Sequence, residues 1–429
     1  MTDRVLPKLL INKWLLAILG GLANFLFLGS IFSLHVFMEE WKDSFELNYS
    51  ALSLITGLAN ALPVACCPIC RVLLDTCGYR ITTFAAAIAA SACLFCAGWI
   101  GSYISALILI GCGFGLSASI VMLAVEIEMS YVFDSQSRSK AMCIIYLGPA
   151  VGNMVWPPLY QTLIPEYHWQ GTLIILSGIV LNVCIAAAFF VEPKYSTHEI
   201  KATGKNRLST AIHAHLFMDY RFWTFFFAYI IIASLILSFN SFFYSILLTS
   251  YGFSGNYAAL IMMAYGIASV AGRCCMMVLP YDLPFPRWCI WSVSVVIMGI
   301  CISLLVVFPH PEAGVAVLLC YAIFWGLGLP MFSAFVPDHF PMPDFAAVIS
   351  YCYLAWGLGI TAGTPFIGWM RDLTNSYSIP TLACGLTAAS IFLSTTVIAL
   401  MKNKKVSRNK QPEFATVNSD LLKQTDLNS

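Results

Sequence analysis

The stretch MMAYGIASVAGRCCMMV, from Met262 to Val278, sets an arginine, Arg273, in an otherwise apolar run. A guanidinium is a planar fork that matches a carboxylate in bidentate fashion and stays charged at any relevant pH. An isolated charge at mid-bilayer costs at least ~2.5–3.5 kcal/mol on insertion scales, so such a residue normally faces a cavity or a partner. A small organic anion is the natural ligand, and the flanking Gly272 and Cys274 are small enough to leave room for one. The competing reading is structural. Arg273 lies six residues from Leu279, or ~9 Å along a helix, a distance over which an arginine can snorkel or reach an ion-pair partner.

Few other residues inside apolar segments offer chemistry. Ser269 precedes Arg273 by one helical turn, and Tyr146, Asn153, Asn240 and Ser241 are the remaining polar side chains placed to touch a ligand or to join helices. Phe332, Trp325 and Trp356 can shape a cavity or fill a core. Glu126 and Glu128 fall on the last turn of an apolar segment, where a solvated position is expected, and His35 near the end of another can titrate near neutral pH or simply pack. Asp75, Arg80 and Arg138 sit at segment ends and form either a charge latch between helices or a solvated cluster. Most of the sixteen cysteines fall within apolar runs, where cysteine acts as a small hydrophobe. The CCPIC cluster (Cys66, Cys67, Cys70) has no His or carboxylate close by to complete a metal site, and Cys70 and Cys77 near a segment end are candidates for palmitoylation. HExxH, GxSxG and paired intramembrane aspartates are all missing from the sequence, so an enzyme and a bound cofactor are not expected.

Composition dictates the elements that hold these groups. The 429 residues are 59% hydrophobic and only 10% charged, against about 25% charged in soluble domains. A polytopic membrane protein follows, and a net charge of +1 gives no reason to expect nucleic acid as a partner. A span needs ~20 apolar residues. Twelve windows qualify, near 14–37, 51–70, 81–100, 104–125, 141–163, 171–191, 222–249, 256–279, 288–308, 313–335, 345–369 and 378–401. The first has no short apolar core and small-residue cleavage site, so it is expected to be retained.

The longest polar stretch, 192–220, divides the windows six and six, giving a first half over 1–191, a linker, a second half over 221–401 and a tail over 402–429. The tail is polar and aperiodic, as disordered segments are. Lys and Arg gather on one face: Lys13, Arg71, Arg80, Arg138, the linker and the tail lie there, against Lys42 and Arg371 on the other. That bias puts both termini in the cytosol. Asn48 in NYS is a glycosylation sequon in the first outer loop, close to the membrane.

The halves echo each other. GFGL (113–116) and LGPAVG (147–152) recur six windows later as GLGL (326–329) and LGITAG (358–363). Single small-residue motifs reflect close helix packing, but two in the same order point to a parallel repeat. The expected fold is therefore all-α, twelve transmembrane helices in two six-helix bundles, the major facilitator architecture with its substrate between the halves.

LGPAVGNMVWPPLYQTL followed by HWQGTLIILSGIVLNVCIAAAFF resembles the fifth and sixth helices of the monocarboxylate transporter family. YGFSGNYAALIMMAYGIASVAGR resembles its eighth, GTPFIGWMRDLTNSY the end of its eleventh with Gly363, Pro365 and Gly368, and LLDTCGYR its loop after the second. Similarity extends over nearly all of 14–401, and Gly148 and Gly152 belong to its most specific block. The family's opening motif is reduced to NKW, with Trp14 alone retained, and the loop between the fourth and fifth helices keeps Tyr131, Phe133, Arg138 and Ala141 at altered spacing.

The resemblance implies a plasma-membrane carrier of monocarboxylates or related small organic anions working by alternating access, with Arg273 as the anion-binding residue. It also allows proton symport and a single-span accessory glycoprotein as partner in the bilayer. Proton-linked members place a lysine where Phe32 stands and an aspartate where Ser269 stands. Uncoupled diffusion therefore stays open beside symport. So do an uncoupled carrier of aromatic amino acids, thyroid-hormone-like compounds or other zwitterions, and a transport-dead sensor or scaffold.

Overall fold

The computed structural model describes residues 13–190, 213–278, 287–374 and part of 381–392, with short breaks at 48, 135–136, 244–245, 248–250 and 308–309. Asn48, most of the linker, most of the last predicted window and the tail lie outside the described residues. The described residues form helices without a strand. In hydrocarbon each backbone N–H and C=O must be satisfied inside its own segment, which a helix achieves.

In chain order α1 is Lys13–Phe37, α2 is Tyr49–Ala65 continued by Cys67–Cys77, α3 is Tyr79–Ile100 and α4 is Tyr103–Val132. α5 and α6 occupy 138–167 and 169–189 within the stretch Arg138–Phe189. After them come α7 (Tyr220–Asn240), α8 (Gly255–Val278), α9 (Arg287–Val307), α10 (Pro311–His339) and α11 (Met342–Thr374).

Eight of the described helices are long and apolar enough to cross a membrane, nine if the two pieces of α2 count as one bent span. The difference from twelve windows has local causes. Arg138–Phe189 is 52 residues long, more than twice the ~20 that one crossing takes. Its helical geometry breaks at His168 (φ 56°, ψ 172°). Beyond the break, Gln170 and Ile174 lie against Gly98 of α3, so α6 runs back along α3. α9 carries a shorter apolar stretch, Cys289–Leu305. α2 bends by 56° where Cys66 leaves helical geometry just ahead of Pro68.

The glycine motifs explain how these helices meet. A Cβ on Gly148 would strike the carbonyl oxygen of Gly21, and one on Gly152 would come within 2.5 Å of the Cα of Gly29. These contacts seat α5 on α1. In the second set, Gly363 and Gly359 lie against the backbone of Ser234 and Ile230, seating α11 on α7. Gly113 and Gly115 seat α4 on Cys93 of α3 and Ala59 of α2, while Gly326 and Gly328 seat α10 on Ser269 of α8 and Ser294 of α9. Each motif thus joins the same set of helices as its echo, shifted by six, although the two glycines of the α10 motif exchange partners relative to those of α4.

Hydrogen bonds reinforce the α1–α5 contact: Trp156 Nε1 donates to Phe25 O at 3.0 Å and Asn24 Nδ2 to Ile145 O at 3.3 Å. π-helical turns interrupt α1 at Phe25–Gly29, α4 at Ala106–Phe114 and α7 at Ile232–Leu237. Such turns widen a helix locally and often mark functional sites.

At the turn between α4 and α5, exposed Asp134 accepts hydrogen bonds from the Ser137 hydroxyl and backbone N–H. These bonds hold its carboxyl below the usual carboxylate range. Lys13 Nζ lies 5.4 Å over the ring of Phe133 beside this turn, and Trp14 packs edge-on to the same ring.

Candidate functional site

Arg273 lies on α8 where that helix meets α10 so closely that Gly326 has its Cα side against the backbone of Ser269 and Arg273. The residue is 4% exposed. Its Nη1 donates to the Ser269 carbonyl at 2.9 Å and to the Ser269 hydroxyl, while Nε is buried without a hydrogen-bond partner. No carboxylate lies within ion-pair distance of it among the described residues. Its electrostatic neighbours are Tyr265 and Cys274 on its own helix, and Cys143 and Tyr146 on α5. Tyr265 in turn donates to Asn240 Oδ1 at 3.4 Å. A buried cation with one side tied to a serine and the other undirected carries an unmet demand for negative charge.

A second polar centre joins the two bundles. Glu126 is 1% exposed and accepts from Tyr146 Oη at 2.9 Å and from Tyr353 Oη, with a further side-chain hydrogen bond from Ser333. Tyr146 Oη also lies 2.5 Å from Tyr353 Oη and 3.1 Å from Ser333 Oγ. Glu126 and Tyr146 come from α4 and α5, Ser333 and Tyr353 from α10 and α11. The expectation of a solvated Glu126 is therefore corrected. α4 continues to Val132, and α5, α10 and α11 close over the carboxylate with hydroxyl donors. Glu128 is likewise buried. Arg273 is accordingly not the sole ionisable group inside the helices: Glu126, Glu128, Arg71 and Arg138 are buried as well.

The other expected residues fall into three groups. Ser269 and Tyr146 border Arg273, and Asn240 reaches it through Tyr265. Phe32 and Asn153 are exposed side chains on α1 and α5, and no hydrogen bond joins Asn153 to the Arg273 cluster. His35 is exposed, its Nδ1 3.0 Å from Phe32 O on a 3-10 turn.

At the end of the bundle that carries the basic residues, Asp75 pairs with Arg71 at 3.1 Å and accepts from Tyr79 Oη at 3.0 Å. Arg80 is exposed and outside that pair, whereas Arg138 is buried at the start of α5. Pro365 and Gly368 lie within α11. Cys67 donates to Pro63 O at 3.2 Å and approaches Ser119 Oγ at 3.5 Å, which ties the CCPIC segment into helix packing.

Tyr353, Ser333, Arg71 and Tyr265 were not singled out from sequence. Tyrosines and serines are frequent in this chain, and nothing local marks those that converge.

The family model for the Major Facilitator Superfamily matches residues 20–364. Monocarboxylate transporter 12 of Rattus norvegicus is 22% identical over 425 residues, covering 90% of this chain and 84% of that protein. Monocarboxylate transporter 4 of Gallus gallus is 25% identical over 413 residues, covering 91% and 84%. Among solved structures, the fucose:proton symporter of E. coli superposes with a TM-score of 0.69 at 15% identity, covering 90% of this chain and 98% of the other.

Proposed function

This chain belongs to the major facilitator superfamily, and we propose that it carries monocarboxylates or related small organic anions across the plasma membrane, both termini cytosolic. The observation that carries the reading is Arg273, a buried guanidinium whose Nε has no partner and which faces α5 of the opposite bundle. A substrate carboxylate supplies the absent counter-charge and a bidentate acceptor. Its arrival between α8 and α5 neutralises the site, and rocking of the two bundles then exchanges the side to which the site opens. The names of the similar proteins point to the same substrate class.

Hydrogen counting at Glu126 supports proton coupling within this reading. Five oxygen–oxygen contacts link Glu126, Tyr146, Tyr353 and Ser333, but the three hydroxyls hold only three hydrogens. A proton on Glu126 supplies a fourth donor, so that four of the five contacts carry a hydrogen instead of three. Parting of α4 and α5 from α10 and α11 removes two of the three hydroxyl partners and opens the carboxyl to solvent. Glu126 thereby takes up or releases its proton in step with the bundle movement. It fills the role left vacant by Phe32 and Ser269.

The reading for bulkier aromatic or zwitterionic cargo draws less support. Phe332 is 1% exposed and stacks on Tyr229 at 4.0 Å, and Trp356 packs on Tyr353 and Tyr229. These rings fill the C-terminal bundle rather than a wide cavity. Uptake of labelled lactate and of labelled phenylalanine into proteoliposomes, each with and without a proton gradient, tests the proposal. Saturable lactate uptake stimulated by the gradient is expected. Phenylalanine uptake indifferent to pH, or ligand binding without any flux, overturns it.

A further inference from the structure

Where the chain enters α7, the sequence His213-Ala214-His215 makes a turn and short 3-10 helix, Ala214–Met218, that sets two imidazoles against the first turn of α11. His213 Nδ1 lies 2.9 Å and His215 Nε2 3.0 Å from the same oxygen, Oδ1 of Asp344. All three ligand-type atoms fall within 4.8 Å of one another. The turn is held rigidly. Phe217 packs on Tyr351 of α11 and on Phe222 and Trp223 of α7, and Trp223 Nε1 donates to Phe217 O at 2.9 Å. His213 sits in the left-handed region (φ 52°, ψ 51°), a conformation costly for a side chain with Cβ, and it turns the ring toward Asp344.

We infer that His213, His215 and Asp344 form a binding site for a divalent transition-metal ion of the zinc type. Two neutral imidazoles and a carboxylate are the donors such ions prefer. With metal–ligand bonds of roughly 2.0–2.1 Å, tetrahedral geometry sets its ligands roughly 3.3 Å apart. The two nitrogen–oxygen separations, 2.9 and 3.0 Å, therefore need only a few tenths of an ångström of expansion, and the two nitrogens already lie within 4.8 Å of each other. Asp344 accepts from both rings as it stands. Metal entry replaces those two N–H bonds: each neutral ring keeps its single proton, now on the nitrogen that does not coordinate, and the coordinating nitrogen offers its lone pair to the ion. His215 is 63% exposed and His213 and Asp344 16% each, so an ion reaches the site from water and keeps a water ligand in the fourth position.

The site also has a place in the carrier cycle. Its three residues belong to the C-terminal bundle, but Asp75 of α2, in the other bundle, interacts electrostatically with His213. A bound dication attracts Asp75 and favours closure of the bundles at the basic end. This consequence rests on the carrier reading; metal binding itself does not, and the two fail separately.

The full-length chain, stripped with a chelator in detergent, is titrated with Zn2+ by calorimetry and with Co2+ by absorption. One ion per chain is expected, with a cobalt spectrum of nitrogen and oxygen ligands free of thiolate charge transfer. Loss of even an outer partner of a metal ligand costs about 10–100-fold in affinity. His215→Ala, at an exposed position where folding is not at stake, therefore weakens binding at least tenfold, and the His213→Ala/His215→Ala double variant abolishes it. Zinc affinity unchanged in the double variant, a thiolate band, or no binding at a tenfold excess of Zn2+ overturns the assignment. Inhibition of lactate uptake by Zn2+ in wild type and its relief in His215→Ala tests the closure effect. Absence of uptake altogether counts against the carrier reading and leaves the titration to decide the site.

Discussion

Tyr146 of α5 and Tyr353 of α11 hold their hydroxyl oxygens 2.5 Å apart across the two bundles, and both donate to Glu126 of α4. Tyr146 is also an electrostatic neighbour of Arg273. One side chain therefore touches the carboxyl that joins the bundles and interacts electrostatically with the guanidinium proposed to hold an anion. A charge arriving at Arg273 is felt at Tyr146, whose hydroxyl position in turn governs how many donors Glu126 keeps. In the proposed cycle that phenol is the link between substrate binding and bundle closure.

Replacement of Glu126 by glutamine should separate proton movement from anion movement. The amide keeps the shape and can hydrogen-bond to the hydroxyls, but it cannot exchange a proton. Lactate uptake driven by a proton gradient is expected to fall to the level without a gradient, while exchange of labelled for unlabelled lactate persists. Tyr353→Phe removes a hydroxyl that contacts both Glu126 and Tyr146, a change of about 0.5–1.5 kcal/mol per hydrogen bond, and should shift the pH midpoint of uptake without abolishing it. A Glu126→Gln protein that still follows the proton gradient refutes the coupling role.

Arg273→Ala removes the guanidinium and is expected to abolish anion uptake with expression intact. Arg273→Lys keeps the charge but loses the bidentate fork. One charge-assisted hydrogen bond is worth about 1.5–3 kcal/mol, so half-saturation for lactate should rise roughly 10–100-fold. Concentration-dependent uptake in proteoliposomes reads both effects. Normal transport by Arg273→Ala removes the anion site.

At the basic end, Asp75→Asn breaks the pair with Arg71 and leaves a buried guanidinium with less compensation. Loss of thermal stability is expected, together with greater labelling of a cysteine-reactive probe at Cys77, which lies exposed at the end of α2. Arg80→Gln, outside the pair, should change neither. Equal effects of the two substitutions would show that Arg80 shares the latch.

The architecture could be read from composition and from the glycine echoes because hydrophobic length and small-residue spacing act locally and repeat. Arg273 was visible for a related reason: a charge in an apolar run stands out wherever it occurs. Glu126 is the instructive failure. Two glutamates near the end of a hydrophobic segment look solvated in one dimension, and only α10 and α11, some 200 residues later, close over them. The partner of Asp75 was misjudged because Arg71 sits one helical turn earlier on the same helix, whereas Arg80 merely lies close by in sequence. Convergence of His213, His215 and Asp344 likewise depends on how α7 packs against α11.

The echoed glycines yield a final prediction, on stability. Gly148→Val drives a branched side chain into the Gly21 carbonyl, which is backbone and cannot swing aside. Overpacking of this kind costs about 1–3 kcal/mol or more. Gly363→Val, in the echoing motif of the second bundle, meets the Ser234 backbone and should cost a similar amount. Gly57 is the control: it lies inside α2, and a Cβ there meets nothing within 4 Å. Alanine is a better helix former than glycine by about 0.8–1.0 kcal/mol, so Gly57→Ala should melt at or above the wild-type temperature. Thermal unfolding of the detergent-solubilised variants should therefore rank Gly57→Ala first and place both valine variants well below wild type. If Gly148→Val melts with wild type, α1 and α5 do not meet through this backbone contact.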